Sequence, residues 1–446
     1  MTMPAQGAPA TRQSSATARA FWSGLDAAAY PIATLAMLAG LVRALTPANY
    51  GILVLALAAS GLSLAINPAI AATTTRFVSQ AAGQSKAGDH SIAGVITAAL
   101  LAVTAIDLGL LLLIAVFREP LAHWVFGGAT AGIGTDAGNV LWLALLAVAI
   151  QQLDAVLAAS LRGLERFARQ ALIEILARAA LAAGVLAVAW TSRSVSAVLI
   201  AQCLVYAVSV MVRATALRLL LPQRRLFRRA ARAQIGALFR YGGWMWLTAL
   251  AGVLYTSADR IIVGRWLGPA VAGQFNIYVQ LTQLVHFVPS SLFAFSLPAF
   301  SRLAAPGGEG AHQIAPAYHS YLGTISLTAL AIALGLLAGW PSLLRIFAGG
   351  AIQDPQWHVA LLLILNFLVL ACNVAPYYLL LALGHSRTVS VVTTGGMLVA
   401  LVLMIVLIPR FGMAGAALAR LAYGGAALIF LVQAQRIVKP TAGVGA

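Results

Sequence analysis

Long apolar runs, each about the length of a membrane-spanning helix, follow one another along almost the whole chain. A helix needs about 20 mostly apolar residues to cross the hydrocarbon core of a bilayer. Single Gly, Pro or polar residues interrupt several runs, and neighbouring helices can satisfy the backbone groups freed there. The pattern predicts an all-α integral membrane protein with about twelve transmembrane helices, at 25–46, 48–72, 91–116, 138–161, 170–190, 195–220, 237–258, 271–298, 318–340, 357–382, 388–408 and 412–434.

The composition agrees with this pattern and narrows the class of ligand. Of 446 residues, 61% are hydrophobic and only 9% are charged, whereas soluble domains carry roughly 25% charged residues. Lys and Arg number 28 against 11 acids, a balance suited to nucleic acid, anionic lipid or an anionic substrate. Because no polar domain remains to hold nucleic acid, we expect anionic membrane lipids and an anionic substrate as partners.

The basic residues also predict an orientation and a division of the chain. With a cytoplasmic N-terminus most of them, Arg162, Arg213 and Arg302 included, fall on the cytoplasmic side, as the positive-inside rule requires. Both termini are then cytoplasmic. The most basic segment, 222–240, is predicted to be an amphipathic helix on the anionic leaflet. Alternatively, it is a plain positive-inside stop signal. The predicted parts are a tail 1–21, a six-helix lobe 22–221, a linker 222–240, a six-helix lobe 241–435 and a tail 436–446.

The two halves of the chain resemble each other at a nearly constant offset. Leu45-Thr46-Pro47-Ala48 matches Leu267-Gly268-Pro269-Ala270, Pro120 matches Pro341, and Leu161-Arg162-Gly163 matches Ala382-Leu383-Gly384. Six helices per half place both halves in the same orientation. Transporters use such parallel repeats to rock around a central site.

Several motifs resemble those of a known family. Ser257-Ala258-Asp259-Arg260, Val263-Gly264-Arg265-Trp266-Leu267-Gly268-Pro269 and Gly273-Gln274-Phe275-Asn276 are similar to the start of the second half of Wzx-type polysaccharide and O-antigen flippases. Tyr241-Gly242-Gly243, Leu161 to Phe167 and Phe411 to Ala417 also resemble that family, whose wider group contains the multidrug (MATE) exporters and the lipid II flippases.

The resemblance implies a MATE-like, two-lobed bundle in a bacterial inner membrane. It also implies a substrate of oligosaccharide on undecaprenyl diphosphate, moved from the cytoplasmic to the periplasmic leaflet for polysaccharide or lipopolysaccharide synthesis. A polysaccharide polymerase or glycosyltransferases are then the expected protein partners.

Polar residues inside the predicted spans are the candidate site residues, because lipid would reject them. Asn276, Gln280, Gln283 and His286 form one stripe that could hold a sugar, although His286 could equally be a satisfied core residue. Arg420, which has no carboxylate near it in sequence, could bind the diphosphate through its fork of donors.

Most of the other charges inside the predicted spans allow two interpretations. Arg43 and Arg76 are further phosphate candidates, or they extend to the interfaces. Asp107 and Asp154 could take a coupling proton or sodium ion, or hydrogen-bond to another helix. Asp259 and Arg260 could form a gate or a helix-end pair. Glu174 and Arg178, which lie one helical turn apart, are expected to form a structural pair.

We expect a flippase of lipid-linked oligosaccharide rather than an enzyme. The sequence has no metal-ligand cluster, Gly-rich phosphate loop or large polar loop, so we expect no cofactor, no metal and no catalytic residues. A multidrug or cation exporter of the same fold is one alternative. A membrane-embedded polysaccharide polymerase is the other.

Overall fold

The computed structural model describes residues 33–83, 88–127, 137–221, 250, 252–293, 296–304, 311–350, 352 and 355–438. Regular structure there is helical throughout. We number the α-helices α1 to α16: Ala33–Ala44, Pro47–Gly61, Asn67–Gly83, Gly88–Val116, Arg118–Phe126, Ala137–Gly163, Phe167–Ser192, Val195–Leu220, 252–267, Pro269–Thr282, Leu284–Leu292, Ser296–Leu303, Ile314–Ala348, Trp357–Cys372, Val374–Ala382 and Ser386–Val438.

The all-helical membrane fold predicted from the apolar runs is confirmed. Eight helical stretches in the described ranges are long and apolar enough to cross a membrane. α16 contains two predicted spans. Gly412, at φ 57 and ψ −136, lies between them and bends the helix. The count of twelve spans stays a prediction.

Two predicted spans are divided in the structure. The second consists of α2, a 3-10 helix at Leu62–Ile66 and α3, which begins at Asn67. The eighth is divided at Gln283 between α10 and α11. Such breaks leave backbone groups that need partners inside the protein, so they occur where packing or a cavity can supply them.

Helix α9 extends further than the sequence pattern predicts. The predicted span ends at residue 258, but the helix continues to 267. Ile261 and Val263 are buried and carry the apolar face onward. Gly268, at φ 90, ends the helix, and Pro269 begins α10. Asp259 and Arg260 therefore lie within a helix rather than at its outer end.

The helices form two compact units that interleave along the sequence. The first comprises Met1–Met37, Ile66–Val116 and Trp142–Trp246, and the second Leu38–Ala65, Phe117–Leu141 and Leu247–Ala446. Val78, Ile96, Leu157 and Leu217 pack in one core of the first unit.

One core of the second unit contains Phe300, Tyr318, Ile325, Ala375 and Leu379. The predicted lobes, 22–221 and 241–435, divide the chain differently and stay a prediction. The linker 222–240, the tail 1–21 and the motif Tyr241-Gly242-Gly243 lie outside the described residues, as does all of the C-terminal tail after Val438.

Candidate functional site

A buried ion network joins three helices of the first unit. Arg213 on α8 is fully buried, and its Nε lies 2.8 Å from Oδ1 of Asp154 on α6. Its Nη2 donates to Oε2 of Glu174 on α7 at 2.6 Å, and its Nη1 donates to Oε1 of Gln170 at 2.5 Å. All three nitrogens of this guanidinium therefore have partners.

The acids of this network are also well provided with partners. Ser209 donates to Asp154 Oδ1 at 2.8 Å, and Arg178 lies 2.5 Å from Glu174 Oε1, one turn away on α7. Asp154, which lacks a partner nearby in sequence, thus obtains one from α8. Two arginines balance two carboxylates, which the burial of these charges requires.

Asp107 differs from Asp154 in having no cation beside it among the described residues. It is 4% exposed on α4. Its Oδ1 accepts a hydrogen bond from Gln152 Nε2 at 2.7 Å, and its Oδ2 has no hydrogen-bond partner in the described chain. Of the two predicted coupling candidates, only Asp107 is therefore not already neutralised by an arginine.

The second unit contains the other fully buried arginine of the described chain. Arg420 on α16 is 1% exposed, and its Nη2 lies 3.2 Å from Oδ2 of Asp259 on α9. Its guanidinium carbon lies 4.7 Å from the ring centre of Tyr255 and 5.6 Å from that of Phe367. Helices that are far apart in the sequence thus supply the two members of this ion pair.

Several donors around Arg420 have no acceptor in the described structure. Nε and Nη1 of Arg420 are buried and make no hydrogen bond, and neither does the amide of Asn366. The Tyr255 hydroxyl faces Asn366 without a hydrogen bond of good geometry. Buried donors left unpaired each cost on the order of 1–3 kcal/mol. Two acceptors there, the amide oxygen of Asn366 and Oδ2 of Asp259, also make no hydrogen bond. The unpaired donors outnumber these acceptors, so the cluster is short of acceptors.

Arg260 and Asn276 connect this cluster to a neighbouring helix. Arg260 Nε donates to Asn276 Oδ1 at 2.7 Å, and Asn276 Nδ2 donates to the Tyr50 hydroxyl on α2 at 2.8 Å. Asn276 is buried, and both ends of its amide are engaged. The rest of the predicted polar stripe is half-buried: Gln283 Nε2 donates to Gln280 Oε1 at 2.6 Å, and His286 follows on α11.

The helices α2 and α10 approach each other at backbone distance. A Cβ added to Gly51 would lie 1.8 Å from the carbonyl oxygen of Pro269. A Cβ added to Gly273 would lie 2.9 Å from the Tyr50 ring. The two glycines occupy matching positions of the repeat, because their separation in sequence equals that of Pro47 and Pro269. We call this α2–α10 contact the glycine seal.

Two arginines beside the glycine seal extend the same symmetry. Arg43 donates to the Ile346 carbonyl, in the last turn of α13, and its Cγ would lie 2.9 Å from a Cβ on Gly349. Arg265 is the residue that matches Arg43 in the repeat, and its Nη1 would lie 3.2 Å from a Cβ on Gly127. Gly127 and Gly349 both lie at positive φ after a helix. Each arginine thus approaches a glycine in the other half of the sequence, and this symmetry supports the predicted repeat.

The structure therefore sorts the predicted site residues. Arg420 and Asp259 meet, Arg260 meets Asn276, and Arg43 is engaged at a helix end; Arg76 is exposed on α3. Sequence reasoning missed the residues that complete both clusters. It placed Arg213 among the cytoplasmic basic residues, and the others are ordinary in their own helices. The missed residues are Tyr50, Gln170, Ser209, Arg213, Tyr255 and Asn366.

The fold and the two clusters define a multi-pass helical membrane protein with charged side chains held between its helices. The chain belongs to the polysaccharide biosynthesis protein family, whose match covers residues 21–304. Among curated proteins, no sequence matches the chain.

Solved transporter structures have the same fold. An inward-facing multidrug resistance MATE family transporter of the MOP superfamily aligns with a TM-score of 0.70 at 13% identity, over 94% of this chain and 100% of that one. The lipid II flippase MurJ in an inward closed conformation aligns with a TM-score of 0.71 at 15% identity, over 92% and 86%. An outward-facing MATE family transporter gives 0.60 at 16%, over 94% and 96%.

Proposed function

We propose that the protein flips oligosaccharide linked to undecaprenyl diphosphate from the cytoplasmic to the periplasmic leaflet of a bacterial inner membrane. Transport proceeds by alternating access, in the synthesis of a cell-surface polysaccharide such as O-antigen. The family match supports the polysaccharide setting, and the likeness to MurJ and MATE transporters supports the fold on which this motion occurs.

The donor excess at Arg420 is the observation that carries the proposal. Arg420 offers two nitrogens without hydrogen-bond partners in the described chain, Asn366 an amide and Tyr255 a hydroxyl. A ligand that satisfies such a set must be rich in acceptors and tolerate positive charge. Diphosphate oxygens fit both requirements, because charge-assisted bonds from Arg to phosphate are short and strong.

The buried acids of the described chain disfavour a cation exporter. A cationic substrate needs an uncommitted carboxylate, but Asp259 is already paired with Arg420, and Asp154 and Glu174 with Arg213. Of the acids buried in the described chain, only Asp107, at 4% exposure, has no cation beside it. We assign that residue a role in coupling rather than in substrate binding.

The sugar requires a different surface, which Gln280, Gln283 and His286 supply. These side chains are half-buried on α10 and α11, and their amides and imidazole can pair with hydroxyl groups. Asn276, by contrast, has both ends of its amide engaged. The carrier's apolar tail remains in the bilayer, which removes any need for a large apolar cavity.

Reconstituted vesicles test the proposal directly. Purified protein is placed in liposomes with a fluorescent undecaprenyl diphosphate oligosaccharide, and the fraction reaching the opposite leaflet is measured by quenching. We expect transfer by the wild type and none above background with Arg420→Gln. Arg410→Gln is the matched control, since Arg410 is an exposed arginine on the same helix.

The outcomes separate the candidate functions. Transfer of the lipid-linked sugar by the wild type and by Arg410→Gln, but not by Arg420→Gln, supports the flippase. Equal transfer by all three removes Arg420 from the mechanism. Efflux of cationic dyes without transfer of the lipid-linked sugar favours the exporter, and extension of the sugar chain favours a polymerase.

A further inference from the structure

A continuous chain of polar contacts runs from Arg420 to the glycine seal. Arg420 holds Asp259 at 3.2 Å, and Asp259 Oδ1 accepts from the backbone N–H of Arg260 at 2.7 Å. Arg260 bonds Asn276 on α10 at 2.7 Å, and Asn276 bonds Tyr50 on α2 at 2.8 Å. Helices α16, α9, α10 and α2 are thereby linked through buried or half-buried side chains.

Asn276 is placed in this chain as a bridge. Its carbonyl oxygen accepts from Arg260 and its amide nitrogen donates to Tyr50. Asn276 is also buried, so it offers little surface to a sugar hydroxyl. The stripe therefore divides at this residue: Gln280, Gln283 and His286 remain partly accessible, while Asn276 connects α9 to α2.

The Tyr50 end of this series of polar contacts is tightly packed. The Tyr50 ring packs on Gly273, and the next residue, Gly51, meets the Pro269 carbonyl at backbone distance. Closely packed surfaces have discrete arrangements and do not deform smoothly. A small change in the Tyr50 hydrogen bond therefore acts on a contact that is either made or broken.

We infer that Arg260, Asn276 and Tyr50 are positioning residues that couple occupancy of Arg420 to the glycine seal. The inference rests on the proposed function. Phosphate oxygens on Nε and Nη1 of Arg420 draw the guanidinium towards the ligand and bring negative charge beside Asp259, so Asp259 is released. Because Arg260 follows Asp259 on the same helix, it moves with it, Asn276 loses a partner, and α2 separates from α10.

Tyr50→Phe isolates the coupling, because it keeps the ring on Gly273 and removes only the hydroxyl. Spin labels at positions 48 and 270, both exposed near the seal, report the separation of α2 and α10 when Cys203 and Cys372 are replaced by Ala. Undecaprenyl diphosphate is the added ligand. In the wild type we expect a ligand-induced change in the label distance.

In Tyr50→Phe we expect the ligand affinity to stay within about twofold, while the ligand-induced change in label distance is lost. The flipping rate should fall about tenfold, which corresponds to the loss of one hydrogen bond. Tyr318→Phe is the matched control. Tyr318 is a fully buried tyrosine of the second unit whose hydroxyl has no hydrogen-bond partner in the described chain, so all three measurements should match the wild type.

Three results would overturn the inference. Wild-type distance change and flipping in Tyr50→Phe would remove the relay and leave the proposed function intact. Loss of ligand affinity in Tyr50→Phe would make Tyr50 part of the binding site. Unchanged ligand affinity in Arg420→Gln would reject the proposed phosphate site itself. Arg260, Asn276 and Tyr50 would then have no ligand binding to couple to the glycine seal.

Discussion

Two arginines, one in each unit, are equally buried but very differently provided with partners. Arg213 is 0% exposed and uses all three nitrogens, on Asp154, Gln170 and Glu174. Arg420 is 1% exposed and uses one, on Asp259, with Nε and Nη1 unpaired in the described chain. Burial alone therefore does not identify a functional charge.

The difference lies in what each arrangement leaves available. A fully satisfied network holds helices in one arrangement and offers a ligand nothing. An arginine with unpaired donors carries a desolvation cost that an acceptor-rich ligand can relieve. We therefore propose that Arg213 stabilises the first unit and that Arg420 binds the transported substrate.

Replacing Arg213 should have the largest effect on stability. Arg213→Met leaves Asp154 buried without a cation, and breaking a buried pair costs about 3–5 kcal/mol. Thermal unfolding in detergent should show a large fall in Tm. Arg169→Gln, an exposed arginine on α7, is the control and should leave Tm unchanged. A stable Arg213→Met protein would mean that the network does not support the fold.

Adding one methyl group at the glycine seal should be the next most damaging change. In Gly51→Ala the new Cβ would overlap the Pro269 carbonyl oxygen, 1.8 Å away, so the helices must separate. Overpacking of this kind costs about 1–3 kcal/mol. Label distances between positions 48 and 270 should lengthen without ligand.

Gly109→Ala is the matched control for the seal, because nothing lies within 4 Å of a Cβ at that helix position. It should leave both the label distance and the stability unharmed, since Ala is the better helix former. A Gly51→Ala protein with wild-type distances would contradict the close approach of α2 and α10.

The Asp259–Arg420 pair illustrates what the sequence predicts and what it omits. Arg420 is recognisable because a charge inside an apolar run is rare, and Asp259 because it belongs to a family motif. Their pairing follows from tertiary packing, which brings α9 and α16 together. Periodicity reports only which residues share a face of one helix.

The helix boundaries show the same limit. Apolar runs predict the helices, since lipid imposes a length and a composition. They do not predict that α9 continues through Asp259 and Arg260 to 267, because partners from α10 and α16 make those two charges acceptable there. Tyr50 and Asn366 were missed for the same reason, as both acquire significance only from other helices.

Arg420→Lys tests the unpaired donors separately from the charge. Lysine can keep the ion pair with Asp259, so Tm should fall by little. It cannot supply the guanidinium fork, and losing one charge-assisted hydrogen bond costs about 1.5–3 kcal/mol. Affinity for undecaprenyl diphosphate should therefore fall about 10- to 100-fold. Equal affinity in the wild type and in Arg420→Lys would show that charge alone attracts the substrate.

Asp107→Asn should have the smallest effect on stability and the most specific effect on transport. Asn keeps an oxygen for Gln152, which bonds Asp107 at 2.7 Å, and it leaves no arginine unpaired in the described chain. Asp154→Asn, in contrast, weakens the pair with Arg213 and should lower Tm. Ionising a buried carboxyl without a cation is costly, so Asp107 is suited to take up the coupling proton. In that case an imposed pH gradient should accelerate flipping by the wild type and not by Asp107→Asn. Equal acceleration of both proteins would place the coupling step at another residue.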